Sequence, residues 1–494
     1  MSREAHREAD GEPPSIVAPY GSIPGPGALE LLRILPDLSS QPLKVFSRLA
    51  ATYGDVFALR YPLDNVVMVA DPDGIEHVLH HAHHRYAKAT SRWRTLRQIW
   101  GEGLLTADGD AWRRQRQRIQ PAFHKDHVES FAQTVATEAE RTGDAWTVAA
   151  RSGEPLDVYT EMLRCTLRAL LKAMFGSDAD DRADMLVHAV EEINGYIDPT
   201  APSNLWNLPI PVRRWVQPGF RPFQRAMDTI RRTFGELIDA RVRSGEIRPD
   251  LLGLIMAGRD DERSETMSVR QVHDEMMTLL MAGHETSGIT STWTWYWLAG
   301  NPGPEARLHA ELDAVLGGRA PAPADLPALE YTRRVIDEVL RLSPTIYAFD
   351  RMAMEDDVVC GYRIPKGTAV AISPYLMHRH ARYWDRALEF DPDRFIAPGA
   401  ASRPAYAYLP FGGGPRRCVG MRMALTTTPL LIATLARRYR LRVKPGHPVE
   451  ELARVNLSPK YGMLMRIEPR QPSGGVPAAS DISRSPASTV MPPT

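Results

Sequence analysis

One cysteine stands in a glycine-rich stretch whose residue types suit a buried anionic ligand. Residues 411–420 are Phe-Gly-Gly-Gly-Pro-Arg-Arg-Cys-Val-Gly, and an apolar helical pattern follows directly. A thiolate at Cys418 would lie at a helix N-terminus, where unpaired backbone N–H groups stabilise negative charge. Gly414 and Gly420 allow a flat ligand or another backbone segment to approach closely, and Arg416 can pair with an anionic group. These are the requirements of a thiolate axial ligand to haem iron.

The alternative is that Cys418 is only a small buried apolar residue in an ordinary loop, as most lone cysteines are. The pattern Phe-x-x-Gly-x-Arg-x-Cys-x-Gly favours the ligand, because five specified residues match such a chain by chance with a probability on the order of 10⁻⁴. The pattern resembles the haem-binding signature of the cytochrome P-450 family, with every fixed position present. The resemblance implies a haem b cofactor with Cys418 as the axial iron ligand. It also places Phe411, Gly414 and Gly420 at the cofactor.

A second group of residues lies in a long apolar segment, 274–297, which predicts one buried helix. The segment is interrupted at 282–286 by Ala-Gly-His-Glu-Thr. Helical spacing of three and four places Ala282, Gly283 and Thr286 on one face. Because glycine inside a helix costs about 1 kcal/mol relative to alanine, we expect a flat macrocycle to pack against this face, where a side chain would collide.

An acid beside an alcohol in this helix can pass protons from solvent to oxygen that is being reduced. The alternative is that Thr286 bonds back to the carbonyl of Ala282 and only bends the helix. The sequence resembles the family's Ala/Gly-Gly-x-Asp/Glu-Thr oxygen-activation motif, which favours a relay through Glu285 and Thr286. His284 is one residue off the predicted face, and we interpret it as a helix-side or channel residue.

Two further segments place acids and arginines where they could pair. Glu338 and Arg341 are three residues apart on a predicted helix, where such pairs are usually exposed and weak. Flanking apolar residues indicate partial burial here. With Arg394 in the segment Phe-Asp-Pro-Asp-Arg-Phe at 390–395, they resemble the family's Glu-x-x-Arg and Pro-Glu/Asp-Arg-Phe elements. The resemblance implies a Glu338–Arg341–Arg394 network that supports the fold and the haem pocket.

Haem carries two propionates, which need positive or N–H partners where they enter a protein. Trp112 and Arg116 lie one turn apart in a predicted helix. The resemblance implies four donors to the propionates: Trp112, Arg116, Arg351 and Arg416. The neighbouring arginines indicate a solvated basic face that could also dock an acidic redox partner: Arg113, Arg114, Arg118, Arg417 and Arg422.

The composition indicates a globular protein with a large core. The chain has 494 residues, of which 43% are hydrophobic and 24% charged, and its formal net charge is zero. A neutral chain does not suggest nucleic-acid binding. Three widely spaced cysteines form neither a disulfide framework nor a zinc pattern, which fits a reducing cytoplasm. No segment has the roughly 18 consecutive apolar residues of a spanning helix, so we expect a cytoplasmic monomer of the soluble, bacterial type, without a membrane anchor.

The candidate residues are spread over most of the chain yet must meet at one macrocycle. We therefore predict one haem-binding domain over 21–470, between disordered segments 1–20 and 471–494, the second of them rich in Pro, Ser, Gly and Ala. Helical patterns dominate 109–342, broken by prolines near 198–218. Short strands are indicated at 56–61, 65–70, 357–362 and 369–372. The predicted fold is mainly helical, α+β, with a long central helix over haem and small peripheral sheets.

The resemblance implies a monooxygenase that activates O₂ and inserts one oxygen atom into a hydrophobic small molecule, by hydroxylation or epoxidation. Because no flavin- or nicotinamide-binding region follows the haem unit, electrons are expected from NAD(P)H through a separate reductase and a ferredoxin or flavodoxin. Two alternatives stay open. A haem-thiolate sensor would need Cys418 but neither Glu285 nor Thr286. Peroxide-driven members of the family carry an Arg-Pro pair at those two positions.

The substrate is expected to be apolar, and terpenoid, fatty acyl and polyketide-like molecules all fit. Large apolar residues stand where the family's variable recognition loops would lie, although each could equally be ordinary core. These candidates are Trp93, Leu96, Trp100, Leu104, Leu105, Tyr196, Ile197, Leu205, Trp206, Ile346, Tyr347, Phe349, Leu457 and Tyr461.

Overall fold

The computed structural model describes residues 17–61, 65–196, 220–257 and 267–470. The proline-rich break at 198–218 lies outside these ranges, as do the predicted disordered segments 1–20 and 471–494 except for residues 17–20. The described helices are α1 (Ala28–Ser40), α2 (Pro42–Tyr53), α3 (Pro72–Glu76), α4 (Ser91–Trp100), α5 (Gly109–Ile119), α6 (Lys125–Ser152), α7 (Val158–Phe175), α8 (Ala183–Tyr196), α9 (Phe220–Ser244), α10 (Leu251–Ala257), α11 (Val269–Gly300), α12 (Pro302–Leu316), α13 (Glu330–Leu342), α14 (Pro374–Met377) and α15 (Met421–Ala436).

The strands form small sheets beside this helical body. The largest has five strands in the order β1-β2-β8-β5-β3, in which β2 and β8 run parallel. A three-stranded sheet has the order β4-β12-β9, and β6-β7 and β10-β11 are two-stranded. The strands are β1 (Val56–Arg60), β2 (Asn65–Val69), β3 (Tyr86–Ala87), β4 (Leu156–Asp157), β5 (Phe349–Ala353), β6 (Asp357–Val359), β7 (Tyr362–Ile364), β8 (Ala369–Ile372), β9 (Tyr439–Val443), β10 (Glu451–Ala453), β11 (Leu457–Pro459) and β12 (Leu464–Pro469).

The central element is α11, which is buried along most of its length and packs against α7. Its start is set by a capping box, in which Ser268 Oγ accepts from the Gln271 N–H. A Cβ on Gly288 would lie 3.1 Å from the Leu163 Cα, so the missing side chain lets the two helices approach closely. The predicted helix at 274–297 lies within α11, and the predicted helix-rich α+β fold is confirmed.

A buried ionic network fastens α13 to the segment that precedes the cysteine loop. The Arg341 Nε and Nη2 groups donate to the two Glu338 carboxylate oxygens, both at 2.7 Å. Arg394 Nε donates to Glu338 Oε1 at 2.8 Å. The side chains of Glu338 and Arg341 have no accessible surface. Backbone carbonyls accept the remaining guanidinium N–H groups, among them that of His378 at 2.9 Å from Arg341 Nη1. The structure thus brings the three predicted network residues together.

Replacing Glu338 by Gln should strongly destabilise the protein, because two buried guanidinium groups would lose their carboxylate. Breaking a buried pair from one side costs about 3–5 kcal/mol. The free energy of unfolding can be measured by denaturant titration of the haem-loaded protein. The matched control is Arg307→Gln, which removes an exposed ion pair with Asp393 and should cost less than about 1 kcal/mol. Equal losses in the two variants would contradict the structural role of the network.

Candidate functional site

The cysteine loop is shaped by backbone conformations that require glycine. The Cys418 N–H donates to the Phe411 carbonyl at 3.0 Å, which closes the loop. Gly412 and Gly414 have φ values of +69° and +64°, in the left-handed region that side chains disfavour. A Cβ on Gly414 would also lie 1.8 Å from the Leu79 carbonyl oxygen. Gly414 therefore serves a close approach of backbone to backbone.

Cys418 retains accessible surface as a residue although protein atoms surround its thiol, which indicates that the residue borders an internal space. Burial raises the pKa of its thiol. The backbone N–H groups of Gly420 and Met421 and the positive charge of Arg116 act in the opposite direction. Met421 is the first residue of α15, so these N–H groups belong to a helix N-terminus. A cation bound to the sulfur would supply the stabilisation that the buried thiolate still needs.

A second face of the internal space is provided by α11. Between Val272 and Leu298 the helix is mostly buried, yet Ala282 is exposed and Thr286 is half-buried. An exposed alanine in the middle of a buried helix shows that open space lies against this face. The helix α11 contacts α15, and Val419, which follows the cysteine, packs against the hydrophobic cluster that contains Met281, so both segments border the same cluster.

Gly283 does not share the face of Ala282 and Thr286, contrary to the prediction from helical spacing. A Cβ on Gly283 would lie 3.0 Å from Leu170 Cδ2, so this glycine faces α7. Its absent side chain serves helix packing, and the expected collision with a macrocycle is not the reason for it. His284 is buried, and its Nδ1 donates to the Leu280 carbonyl at 2.7 Å. Burial lowers the pKa of His284 to about 4.

Glu285 and Thr286 face different surroundings although they are neighbours. Thr286 Oγ1 donates to the Ala282 carbonyl at 2.7 Å, which is the local bond considered above. Glu285 is hydrogen-bonded to the Asn456 side chain, and burial raises its pKa to about 7, opposed by Asn456 and the charge of Arg454. Glu285 lines a cavity of about 570 Å³ that opens to solvent. The acid is therefore placed between solvent and the alcohol.

Four cationic side chains gather at one edge of the site. The Lys88 Nζ donates to the Leu105 carbonyl at 2.5 Å. Burial, with the charges of Arg351 and Arg416, lowers the pKa of Lys88 well below its usual value. Arg351 is also buried, and burial together with the Arg416 charge lowers its pKa to about 10. Arg97 is the fourth member, and its charge also acts on Lys88.

These cations share two carboxylates. Asp108 accepts from Arg416 Nη2 at 2.6 Å and from Arg97 Nη2 at 3.2 Å. Asp350, next to Arg351 in the chain, is the second acid that acts on that guanidinium. Four positive and two negative groups leave two positive charges unmatched. A dianionic group bound here would balance them and restore the charged form of Lys88.

Three of the four predicted propionate donors lie at this cluster. The Arg416 guanidinium lies 4.5 Å from the centre of the Trp112 ring, and Arg351 acts on the same cations. Arg116 lies elsewhere: its Nη1 donates to the Arg417 carbonyl at 3.0 Å, against the cysteine loop. Sequence reasoning missed Lys88 and Arg97. Their only signal in the sequence is that they are basic residues near Trp93 and Trp100. The fold, and not the local sequence, brings them to Arg351 and Arg416.

The chain was compared with known proteins. The family description Cytochrome P450 matches residues 23–469. Cyclooctatin synthase of Streptomyces melanosporofaciens is 37% identical over 90% of this chain and 95% of its own length. Cyclooctat-9-en-7-ol 5-monooxygenase of the same organism is 31% identical, over 87% of this chain and 91% of its own. The chain belongs to the cytochrome P-450 family. It is a cytochrome P-450 monooxygenase.

The structural comparison gives the same result. The crystal structure of the cytochrome P450DA heme domain superposes on this P-450 with a TM-score of 0.79 and 25% identity, covering 92% of this chain and 99% of that one. The family's cofactor is haem. Within the described ranges, no helix of this P-450 is long and apolar enough to cross a membrane.

The residues of this P-450 fit haem. The enclosed thiol of Cys418 lies at a helix N-terminus, where the Gly420 and Met421 N–H groups favour its thiolate, and a thiolate suits a metal cation. The two unmatched positive charges beside Lys88 and Arg351 equal the charge of the two propionates. The exposed Ala282 marks open room against α11.

The predicted substrate residues fall into several groups. Trp93, Leu96, Trp100 and Leu104 are buried in one hydrophobic cluster that also contains Met276 to Met281 of α11, and Leu105 packs against it. Tyr347 and Leu457 lie in a second cluster, and Phe349 packs against the cluster of the large sheet. Ile197, Leu205 and Trp206 lie outside the described residues. The first group is the one that reaches the central helix beside Ala282.

Replacing Lys88 by Met should weaken haem retention, because one of the two unmatched charges that face the propionates is lost. We expect haem transfer to excess apomyoglobin to become about tenfold faster, the equivalent of one charge-assisted hydrogen bond. The control is Lys444→Met, since Lys444 is exposed. An unchanged transfer rate in Lys88→Met would show that Lys88 does not hold the cofactor.

Proposed function

We propose that this cytochrome P-450 hydroxylates an apolar terpenoid, using O₂ and electrons from a separate redox protein. The observation that carries the proposal is the pairing of an enclosed cysteine sulfur with a central helix that presents an alcohol to the site and an acid to solvent. The cysteine serves cofactor binding, and the acid and alcohol of the central helix serve proton supply.

In this proposal the sulfur of Cys418 would bind the haem iron, and Lys88, Arg351, Arg416 and Trp112 would hold the propionates. Haem, when bound, supplies reductive activation of O₂ and oxygen insertion into a C–H bond. The N–H groups of Gly420 and Met421 temper the charge on the sulfur. Arg116, which donates to the carbonyl of the cysteine loop, supports the same negative charge from one side.

Glu285 and Thr286 deliver protons in this proposal. Glu285 takes a proton from water in the 570 Å³ cavity and passes it across to the neighbouring alcohol. Thr286 Oγ1 donates to the Ala282 carbonyl at rest; for a transfer its hydroxyl would rotate to donate its own hydrogen into the site while it accepts the proton of Glu285. With a pKa of about 7 the acid has the protonation balance that a general acid needs near neutral pH.

The terpenoid assignment is supported by the apolar surroundings of α11 and by the relatives. Trp93, Leu96, Trp100 and Leu104 are buried in an apolar cluster that includes Met281, next to the exposed Ala282, and an apolar setting suits a compact hydrocarbon skeleton. The two relatives from Streptomyces melanosporofaciens are named for cyclooctatin and for cyclooctat-9-en-7-ol, both of them terpenoids.

The function can be tested by supplying the haem-loaded protein with NADPH, a ferredoxin, its reductase and oxygen-18-labelled O₂. A panel of terpenoid hydrocarbons and alcohols, fatty acids and macrolactones serves as substrates. We expect a terpenoid product that carries one labelled oxygen atom, and little product when H₂O₂ replaces the electron donors. Efficient turnover with H₂O₂ alone, or oxidation of fatty acids only, would contradict the proposal.

Product formed per O₂ consumed should fall as the pH rises through about 7, because Glu285 then loses the proton that it donates. The change Glu285→Gln should lower the rate of product formation by about 10²-fold and abolish this pH dependence. The control is Glu450→Gln, which removes an exposed pair with Lys460 and should keep the wild-type profile. A wild-type pH profile in Glu285→Gln would exclude this acid as the proton source.

A further inference from the structure

The loop at 101–106 crosses the first turns of α11 and is held there by two successive acids. The Glu102 N–H donates to Asp274 Oδ2 at 3.1 Å. The Leu104 N–H donates to Glu275 Oε2 at 2.8 Å, and this bond is buried. The backbone of a loop that borders the apolar cluster is therefore fixed by side chains of the central helix.

Two glycines make this close approach possible. A Cβ on Gly103 would lie 2.1 Å from Thr278 Oγ1 and 2.6 Å from the Asp274 carbonyl oxygen. Gly101 has a φ of +78°, and its Cβ would lie 2.5 Å from Asp274 Oδ1. A side chain at Gly103 would collide with the backbone of α11 at Asp274, and one at Gly101 would be strained by the positive φ and would displace the Asp274 carboxylate.

Glu275 is an unusual residue for this position. Its side chain is fully buried, and it forms no ion pair within the described ranges. Its Oε1 has no hydrogen-bond partner there either. Burial raises the pKa of Glu275 to about 8, opposed by the Leu104 N–H. The acid is therefore mainly neutral at pH 7 and serves Leu104 as an uncharged acceptor.

Beyond Leu104 the same loop is tied to the cation cluster. Lys88 Nζ donates to the Leu105 carbonyl, and Arg97 Nη2 donates to the Thr106 carbonyl at 2.7 Å. The loop is thus anchored on α11 at one end and at the predicted propionate edge at the other. If the loop were released from Glu275, Leu104 and Leu105 would shift relative to α11 and to the cation cluster.

We propose that Glu275 is a positioning residue that sets the shape of the substrate pocket, because its carboxyl oxygen holds Leu104 and the 101–106 loop against α11. Leu104 packs in the same hydrophobic cluster as Met281, which directly precedes the exposed Ala282. The assignment of this cluster to the substrate pocket rests on the proposed function. The anchoring of the loop does not.

Three variants test whether Glu275 positions the loop as a hydrogen-bond acceptor. Glu275→Gln keeps an acceptor oxygen of the same shape and should behave as the wild type, because the native acid is neutral. Glu275→Leu removes the acceptor. Gly103→Ala displaces the loop by contact with Thr278 while Glu275 stays in place. The alanine variant also tests the proposal if Glu275→Leu does not fold.

The first measurement is hydrogen–deuterium exchange of the peptide that contains Leu104, in the haem-loaded protein. Exchange should be about tenfold faster in Glu275→Leu and in Gly103→Ala, as expected for one lost buried hydrogen bond. Exchange in Glu275→Gln should match the wild type. Wild-type protection in Glu275→Leu, or equal loss of protection in the Gln and Leu variants, would overturn the proposal.

The second measurement is the ratio of the dissociation constants of imidazole and 4-phenylimidazole, taken from the Soret shift. The larger azole reports on the pocket wall, so the ratio should change by about tenfold in Glu275→Leu and Gly103→Ala only. An unchanged ratio in these two variants would overturn the role in pocket shape. Neither measurement needs a terpenoid substrate, so failure of terpenoid oxidation would contradict the proposed function and leave the result for Glu275 standing.

Discussion

The structure depends on placing a sulfur anion inside a protein. Burial raises the pKa of Cys418, so the thiolate exists only where dipoles and charge compensate. The left-handed conformations of Gly412 and Gly414 bend the loop into position, and α15 begins where its N–H groups reach the sulfur. Before the loop in the chain, the Glu338 network ties α13 to the segment around Arg394. The buried charges elsewhere can be understood as supports for this arrangement.

The buried charged groups differ in how far their charges are balanced by neighbours, and this balance sets their role. In the Glu338 network, acid and guanidinium groups satisfy one another, and the outcome is rigidity. In the cluster around Lys88, the cations exceed their acids, and the outcome is a site for an anion. On α11, Glu275 and Glu285 are acids without an ion pair in the described residues, and burial favours their neutral forms. Their surroundings give them different roles, because Glu275 accepts from the Leu104 backbone N–H whereas Glu285 lines a cavity open to solvent.

Features encoded locally could be predicted from the sequence. The cysteine loop, the long helix at 274–297 and the Glu-x-x-Arg segment were all visible as short patterns, because backbone preference and helical spacing are local properties. Gly283 shows the limit of spacing: the helical period gives the angle of a residue but not the neighbour it meets, which proved to be Leu170 of α7. Lys88 joins Arg351 and Arg416 only through the fold, and the link between Leu104 and Glu275 likewise joins distant segments. Contacts between distant segments produce no periodic pattern that could be recognised in the sequence.

The central claim is tested most directly by the absorption spectrum of the reduced protein with carbon monoxide. Thiolate ligation by Cys418 predicts a Soret maximum strongly shifted to the red of the histidine-ligated globins. The change Cys418→His should move the maximum to the globin position while haem remains bound. A globin-like maximum in the freshly prepared wild-type protein, or an unchanged maximum in Cys418→His, would contradict the account.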